Sequence, residues 1–161
     1  MRHAKAETSA ETDHERVLTA RGRRDAVAAG THLASIGVLP GHVVVSSAAR
    51  AVETWQCVAH GAGADPEVSV DDAVYGGGPE TVTEALRAVP LDAEVVMLVG
   101  HNPTVENLAR LLDDGNGDEA ALREMALGYP TSSLTVLEVD VPWSDLDADT
   151  ATVTHFHVAR G

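Results

Sequence analysis

A single cysteine, Cys57, stands among 161 residues, so no disulfide can form within the chain and a reducing compartment is expected. Aromatic side chains are nearly as scarce. One Phe, two Tyr and two Trp leave the core to Val, Leu and Ala, as strands buried on both faces of a parallel sheet prefer. No run of about 18 apolar residues and no charged-then-apolar leader occurs, and the expected address is the cytoplasm. Positive charge is also short: 11 Lys and Arg face 25 Asp and Glu, a net charge of −14. Nucleic acid and anionic membrane both demand clustered positive potential, so neither is an expected partner. Any anion site must be built locally, against the field of the whole chain.

What is present alternates between strand and helix signals. The run Val95-Val96-Met97-Leu98-Val99 reads as a buried strand and breaks into Gly100-His101-Asn102-Pro103. Thr104 then reads as the cap of an amphipathic helix carrying Leu108, Leu111 and Leu112. Upstream, the spacing predicts a helix from an N-cap at Thr19 to a C-cap at Gly37, with Ala26, Gly30, Leu33 and Ala34 on one face. His42 to Val45 reads as a β-branched strand, Ala49 to His60 as a helix, and Glu67 to Val70 as another strand. Gly76 to Pro79 forms a loop before a helix through Val82, Leu86 and Val89, with Pro79 in its first turn. Beyond Leu112 come an acidic loop from Asp113 to Glu119, a helical run to Leu127, and strands over 133–139 and 151–158. This order predicts an α/β fold: a three-layer α/β/α sandwich on a mostly parallel sheet, forming one domain over residues 1–161.

Three groups then fall after strands, or where a strand is expected: Arg2-His3, Arg50 and His101. Crossovers that set those strands side by side gather two guanidinium forks and two imidazoles in one crevice, which is a phosphate pocket in composition. The blocks Arg2-His3-Ala4-Lys5-Ala6-Glu7, Arg16-Val17-Leu18-Thr19, Ser46-Ser47-Ala48-Ala49-Arg50-Ala51-Val52-Glu53-Thr54 and Gly100-His101-Asn102-Pro103 occur in this order over residues 2 to 103. Together they resemble the histidine phosphatase superfamily, with its phosphoglycerate mutase-like fold, and within it the SixA-type phosphohistidine phosphatases. The resemblance implies that His3 is a nucleophile that becomes transiently phosphorylated. It also implies that Arg2, Arg50 and His101 clamp the phosphoryl group, with Arg16 a further ligand, and that neither metal nor cofactor takes part. Asp72, three residues before Tyr75, is similar in placement to the proton donor of the mutase branch; otherwise it is a solvated strand-end carboxylate.

Family members carry an apolar strand before the Arg-His pair, whereas only Met1 precedes it here. The expectation is a natural chain that starts earlier, with a first strand missing or truncated before Arg2. Its loss should leave a groove in the sheet and Arg2 and His3 weakly anchored. The expected activity is hydrolysis of a phosphomonoester or phosphoramidate through phosphorylated His3, with phosphohistidine on a protein as the leading substrate. A small phosphorylated metabolite is one alternative, and a phosphate-binding module without turnover is another. The remaining features have plainer readings. His155 and His157 sit at period two on a strand face, Asp114 to Asp118 lacks the spacing of a calcium loop, and Cys57 reads as a buried small residue.

Overall fold

The computed structural model describes residues 1–161. Three parallel strands lie in the order β2 (Glu67–Asp71), β1 (His42–Ser46), β3 (Val96–Val99). β1 is central and buried along its whole length, as an unbroken β-branched run requires. Successive side chains of β1 point to opposite faces, and two separate cores result. Val43 and Val45 pack with Leu33 of α1 (Ala20–Ser35) and Trp55 and Val58 of α2 (Ala49–Ala62). Val44 packs on the other side with Val74 of α3 (Ala73–Gly76), Val82 and Leu86 of α4 (Pro79–Arg87), and Leu108 and Leu112 of α5 (Thr104–Leu112). The layers are therefore α/β/α, as the strand and helix order predicts. α6 (Glu119–Ala126) seats Ala121 and Met125 against Val153 of β5 (Ala151–Val158), which pairs antiparallel with β4 (Ser133–Val139).

The helix ends follow local chemistry. Thr19 caps α1, its hydroxyl accepting from Gly22 N–H at 2.9 Å. Gly37, at φ +73°, lets the amides of Gly37 and Val38 return to Ala34 and Leu33. Thr104 is not a cap. Pro103 holds the cap position of α5, and the Thr104 hydroxyl donates instead to the Gly77 carbonyl. The single-turn α3 lies where Ala73-Val74-Tyr75 gave no periodic signal. Cys57 is half-buried rather than buried, and burial pushes its thiol pKa up.

α1 and α2 approach closely enough for backbone contact. A Cβ on Gly30 would sit 2.0 Å from the Val58 carbonyl oxygen, and one on Gly61 2.1 Å from that of Val27. Backbone cannot yield as a flexible side chain does. Gly30→Ala is expected to cost about 1–3 kcal/mol or more of stability in urea unfolding, whereas Gly41→Ala, which meets nothing within 4 Å, is expected to be near neutral.

The expectation that Arg2 and His3 are weakly anchored is corrected. Residues 1–4 themselves occupy the place between β3 and β4. His3 N–H donates to the Gly100 carbonyl and Gly100 N–H to that of Met1, while Arg2 N–H donates to Ser133 and Ser132 N–H to His3. Ala4 N–H ends on the Thr54 hydroxyl at 2.9 Å. Two-sided backbone pairing holds the Arg-His pair without any apolar run, since main-chain bonds are indifferent to side chains. A cavity of about 810 Å³ lies between β3 and β4, lined by Met1, Val96, Leu98, Leu134 and Val136. The Met1 amine faces the Leu98 carbonyl at 2.7 Å, and burial lowers its pKa to about 5. No helix is long and apolar enough to cross a membrane.

Candidate active site

Arg2, Ser46 and His101 arrive at the same edge because the strands are in register. Val45 is level with Val99, and Arg2 is level with Gly100. The edge is the carboxyl end of the parallel strands, where α/β sheets place their ligands. The His3 and His101 rings face each other with centroids 5.0 Å apart. His3 Nδ1 lies 2.7 Å from the Ala4 carbonyl oxygen, an acceptor only, so Nδ1 carries the proton and Nε2 keeps its lone pair. His101 Nε2 lies 2.7 Å from Ser46 Oγ, and its Nδ1 is buried without a partner. Burial, followed by the Arg50 and Arg2 charges, lowers the His3 pKa to about 4, against the opposing pull of the Ala4 bond. Burial, followed by His3 and Arg50, lowers that of His101 to about 3. His101 is thus neutral in the ligand-free protein near pH 7.

The two arginines are held from behind. Arg2 Nη1 donates to the Tyr129 carbonyl at 2.7 Å, and burial lowers its pKa against the opposing pull of Glu106. Arg50 is 5% exposed, and its two outer nitrogens reach Asp13: Nη1 to the main-chain oxygen at 2.7 Å and Nη2 to Oδ2 at 3.0 Å. The Nε of each arginine is buried without an acceptor. Three orphaned nitrogens, Arg2 Nε, Arg50 Nε and His101 Nδ1, thus belong to residues of one cluster, and such groups are costly unless something meets them.

Of the other sequence candidates, Arg16 lies at the cluster's rim. Its Nε and Nη2 bind Asp13 Oδ1 at 2.8 and 2.6 Å, and Nη1 binds the Glu7 carbonyl. Asp72 is not brought in. It is exposed at the start of α3, and its carboxylate makes no hydrogen bond or ion pair. Tyr75, one turn on, does take part: its ring stands 5.6 Å from His101 and 5.8 Å from the Arg50 guanidinium, and its hydroxyl donates to Asp13 at 3.0 Å. Glu53 supports the frame by accepting from Leu18 N–H at 2.6 Å and pairing with Arg23. Asp13 was missed by sequence reasoning, although its place three residues before Arg16 marks a potential ion pair. His157 stacks on His32 at 3.9 Å, away from these residues.

Two facing imidazoles beside two arginines, at the carboxyl edge of a parallel sheet, make an α/β protein with a pocket whose composition suits a phosphoryl group. The comparisons place it further. Residues 1–74 match the family described as histidine phosphatase superfamily, branch 1. The chain is 34% identical to a candidate phosphohistidine phosphatase SixA from Nakamurella multipartitia, whose structure superposes with a TM-score of 0.84 over 99% of this chain and 93% of that one. A second candidate of that description, from Agrobacterium tumefaciens, is 28% identical with a TM-score of 0.80, covering 98% and 94%. The uncharacterized protein Rv1276c of Mycobacterium tuberculosis (strain ATCC 25618 / H37Rv) is 36% identical across 99% of this chain and all of its own length. The chain belongs to the histidine phosphatase superfamily, in its SixA-like branch.

The depressed imidazole values set a pH signature. kcat/KM reports the free enzyme, so its acid limb is expected to break at about pH 4, where His3 protonates, once the phosphoryl group's own ionisation near 6 is allowed for. An unperturbed histidine would break near 6.5, and a limb there would contradict the geometry. Stability follows with the same sign. Both folded values lie below the unfolded one, so the unfolded chain binds more protons as pH falls from about 6.5 towards 4 and 3. The stabilisation is complete above that window and is lost through it.

Proposed function

We propose that this chain is a metal-independent phosphatase acting through a phosphohistidine intermediate on His3, and that phosphohistidine on a protein is its substrate. The observation that carries the reading is the bond from His3 Nδ1 to the Ala4 carbonyl, which leaves Nε2 as the free nucleophile opposite His101. In the first step the Nε2 lone pair forms a bond to phosphorus while the bond from phosphorus to the leaving nitrogen or oxygen breaks. In the second, water displaces His3 and inorganic phosphate departs. Arg2, Arg50 and His101 hold the equatorial oxygens, and such alignment and charge neutralisation make up most of phosphoryl-transfer catalysis. All 161 residues act as one domain in this reading, in the cytoplasm. The likeness to SixA-described structures supports the substrate class.

The direct test is acid-labile label trapped on His3 after brief exposure to a phosphohistidine peptide labelled on phosphorus. Label on another residue, or none, removes the proposal. The substrate class has its own test. An imidazole leaves with a conjugate-acid pKa near 6.5 and needs little help, whereas an alkoxide wants a general acid. The Asp72 carboxylate bonds to none of the cluster, so Asp72→Asn is expected to leave phosphohistidine turnover within about threefold. If Asp72 acts as the acid for alkyl phosphates, their turnover should fall about 10²-fold or more in that variant. Equal damage to both substrates would contradict the assignment.

A further inference from the structure

Asp13 lies on the polar segment between Glu7 and Val17, and its exposed carboxylate receives what an oxyanion would. Arg50 Nη2 donates at 3.0 Å, Arg16 Nε and Nη2 at 2.8 and 2.6 Å, and Tyr75 Oη at 3.0 Å. Its main-chain oxygen takes the remaining Arg50 nitrogen, Nη1. Both outer nitrogens of Arg50 and all three of Arg16 therefore each spend an N–H on this segment, the third of Arg16 on the Glu7 carbonyl. The segment is laid down from outside as well: the His14 carbonyl accepts from Ala49 N–H, and the His14 ring lies edge-on to Tyr75 with centroids 4.9 Å apart. The bonds from Arg16 and Tyr75, with Arg50 beside them, hold the Asp13 carboxyl down to about 2, so it is ionised at every working pH.

We propose that Asp13 is an internal competitor for the phosphoryl group, a carboxylate on a polar strap that closes the clamp and is displaced when phosphate enters. The inference rests on the reading of this cluster as a phosphoryl site. Its physical basis is that one guanidinium fork cannot present the same N–H groups to two anions. Phosphate takes the N–H groups that Asp13 holds only as the 8–16 segment lifts, and the apparent affinity falls by the fraction of molecules in which it has lifted. Such a strap sets a floor on the substrates accepted. A phosphoprotein that brings further contacts can displace it, and inorganic phosphate, the product, is returned to solution more readily.

The test is calorimetric titration with inorganic phosphate. Asp13→Asn is expected to lower the Kd about tenfold, whereas Glu15→Gln, which removes a carboxylate of the same segment bonded only to Thr12, should change it less than twofold. An unchanged or weaker Kd in Asp13→Asn overturns the proposal, because that is the result for a carboxylate that merely positions Arg50. An equal gain in Glu15→Gln overturns it as well, by reducing the effect to net charge. The wild-type chain crystallised with phosphate provides a reading independent of any variant. The Asp13 carboxylate should have left Arg50, and phosphate bound with that contact intact defeats the idea. Label trapping on His3 is scored separately. A chain that shows the Asp13 effect but traps no label refutes turnover and leaves the strap standing.

Discussion

His3→Asn should abolish turnover while leaving the fold intact. The asparagine amide reaches the position of Nδ1 and can still donate to the Ala4 carbonyl, so the local bond that His3 makes at 2.7 Å is kept. What disappears is the lone pair on Nε2, for which asparagine has no counterpart. A missing nucleophile costs more than a missing donor, and the loss in kcat is expected to be on the order of 10⁴ or more. Unfolding free energy should shift by no more than about 1 kcal/mol, because the hydrogen bond is retained and the depressed His3 pKa no longer weighs against the fold in acid. The acid limb of stability between pH 6.5 and 4 should shrink in the variant, which ties the kinetic and thermodynamic readouts to the same imidazole. Residual turnover within tenfold of the natural chain would place the nucleophile elsewhere.

How far the sequence could be read depended on whether a feature was periodic. Val43-Val44-Val45 announces a strand buried on both faces, and Thr19 with Gly37 marks both ends of α1, because caps and alternation are local chemistry. The convergence of Arg2, His3, Arg50 and His101 was legible from their positions after strands, since parallel register carries such residues to one edge. The anchoring of residues 1–4 was not legible. It rests on main-chain bonds to Gly100, Ser132 and Ser133, which leave no mark in side-chain pattern. The strap was hidden for a related reason. Residues 8 to 16 are polar and aperiodic, and the role of Asp13 is set by Arg50 and Tyr75, 37 and 62 residues away along the chain. Asp72 and Tyr75 show the same limit from the other side. Both sit on the short segment after β2, yet it is the phenol and not the carboxylate that meets the histidines.

Arg50→Lys is expected to lower kcat by about 10² to 10³ with little effect on folding, and the reason is geometric rather than electrostatic. Lysine keeps the charge but replaces a planar fork by one ammonium on a flexible stem. Arg50 spans from the Asp13 main-chain oxygen to its carboxylate with two nitrogens, and its Nε is buried and unpartnered. No single point charge reproduces that spread. Losing a preorganised donor to the developing charge costs about 3 kcal/mol, and the Tyr75 ring, 5.8 Å from the guanidinium, loses a stacked partner. In the proposed clamp the same substitution at Arg2 removes a donor to the same anion, so the two effects should not add. In the double variant the combined loss is expected to fall short of the product of the single losses by tenfold or more, since groups acting on one transition state couple. Simple multiplication of the two would mean that Arg2 and Arg50 serve different ligands, and the shared phosphoryl clamp would have to be given up.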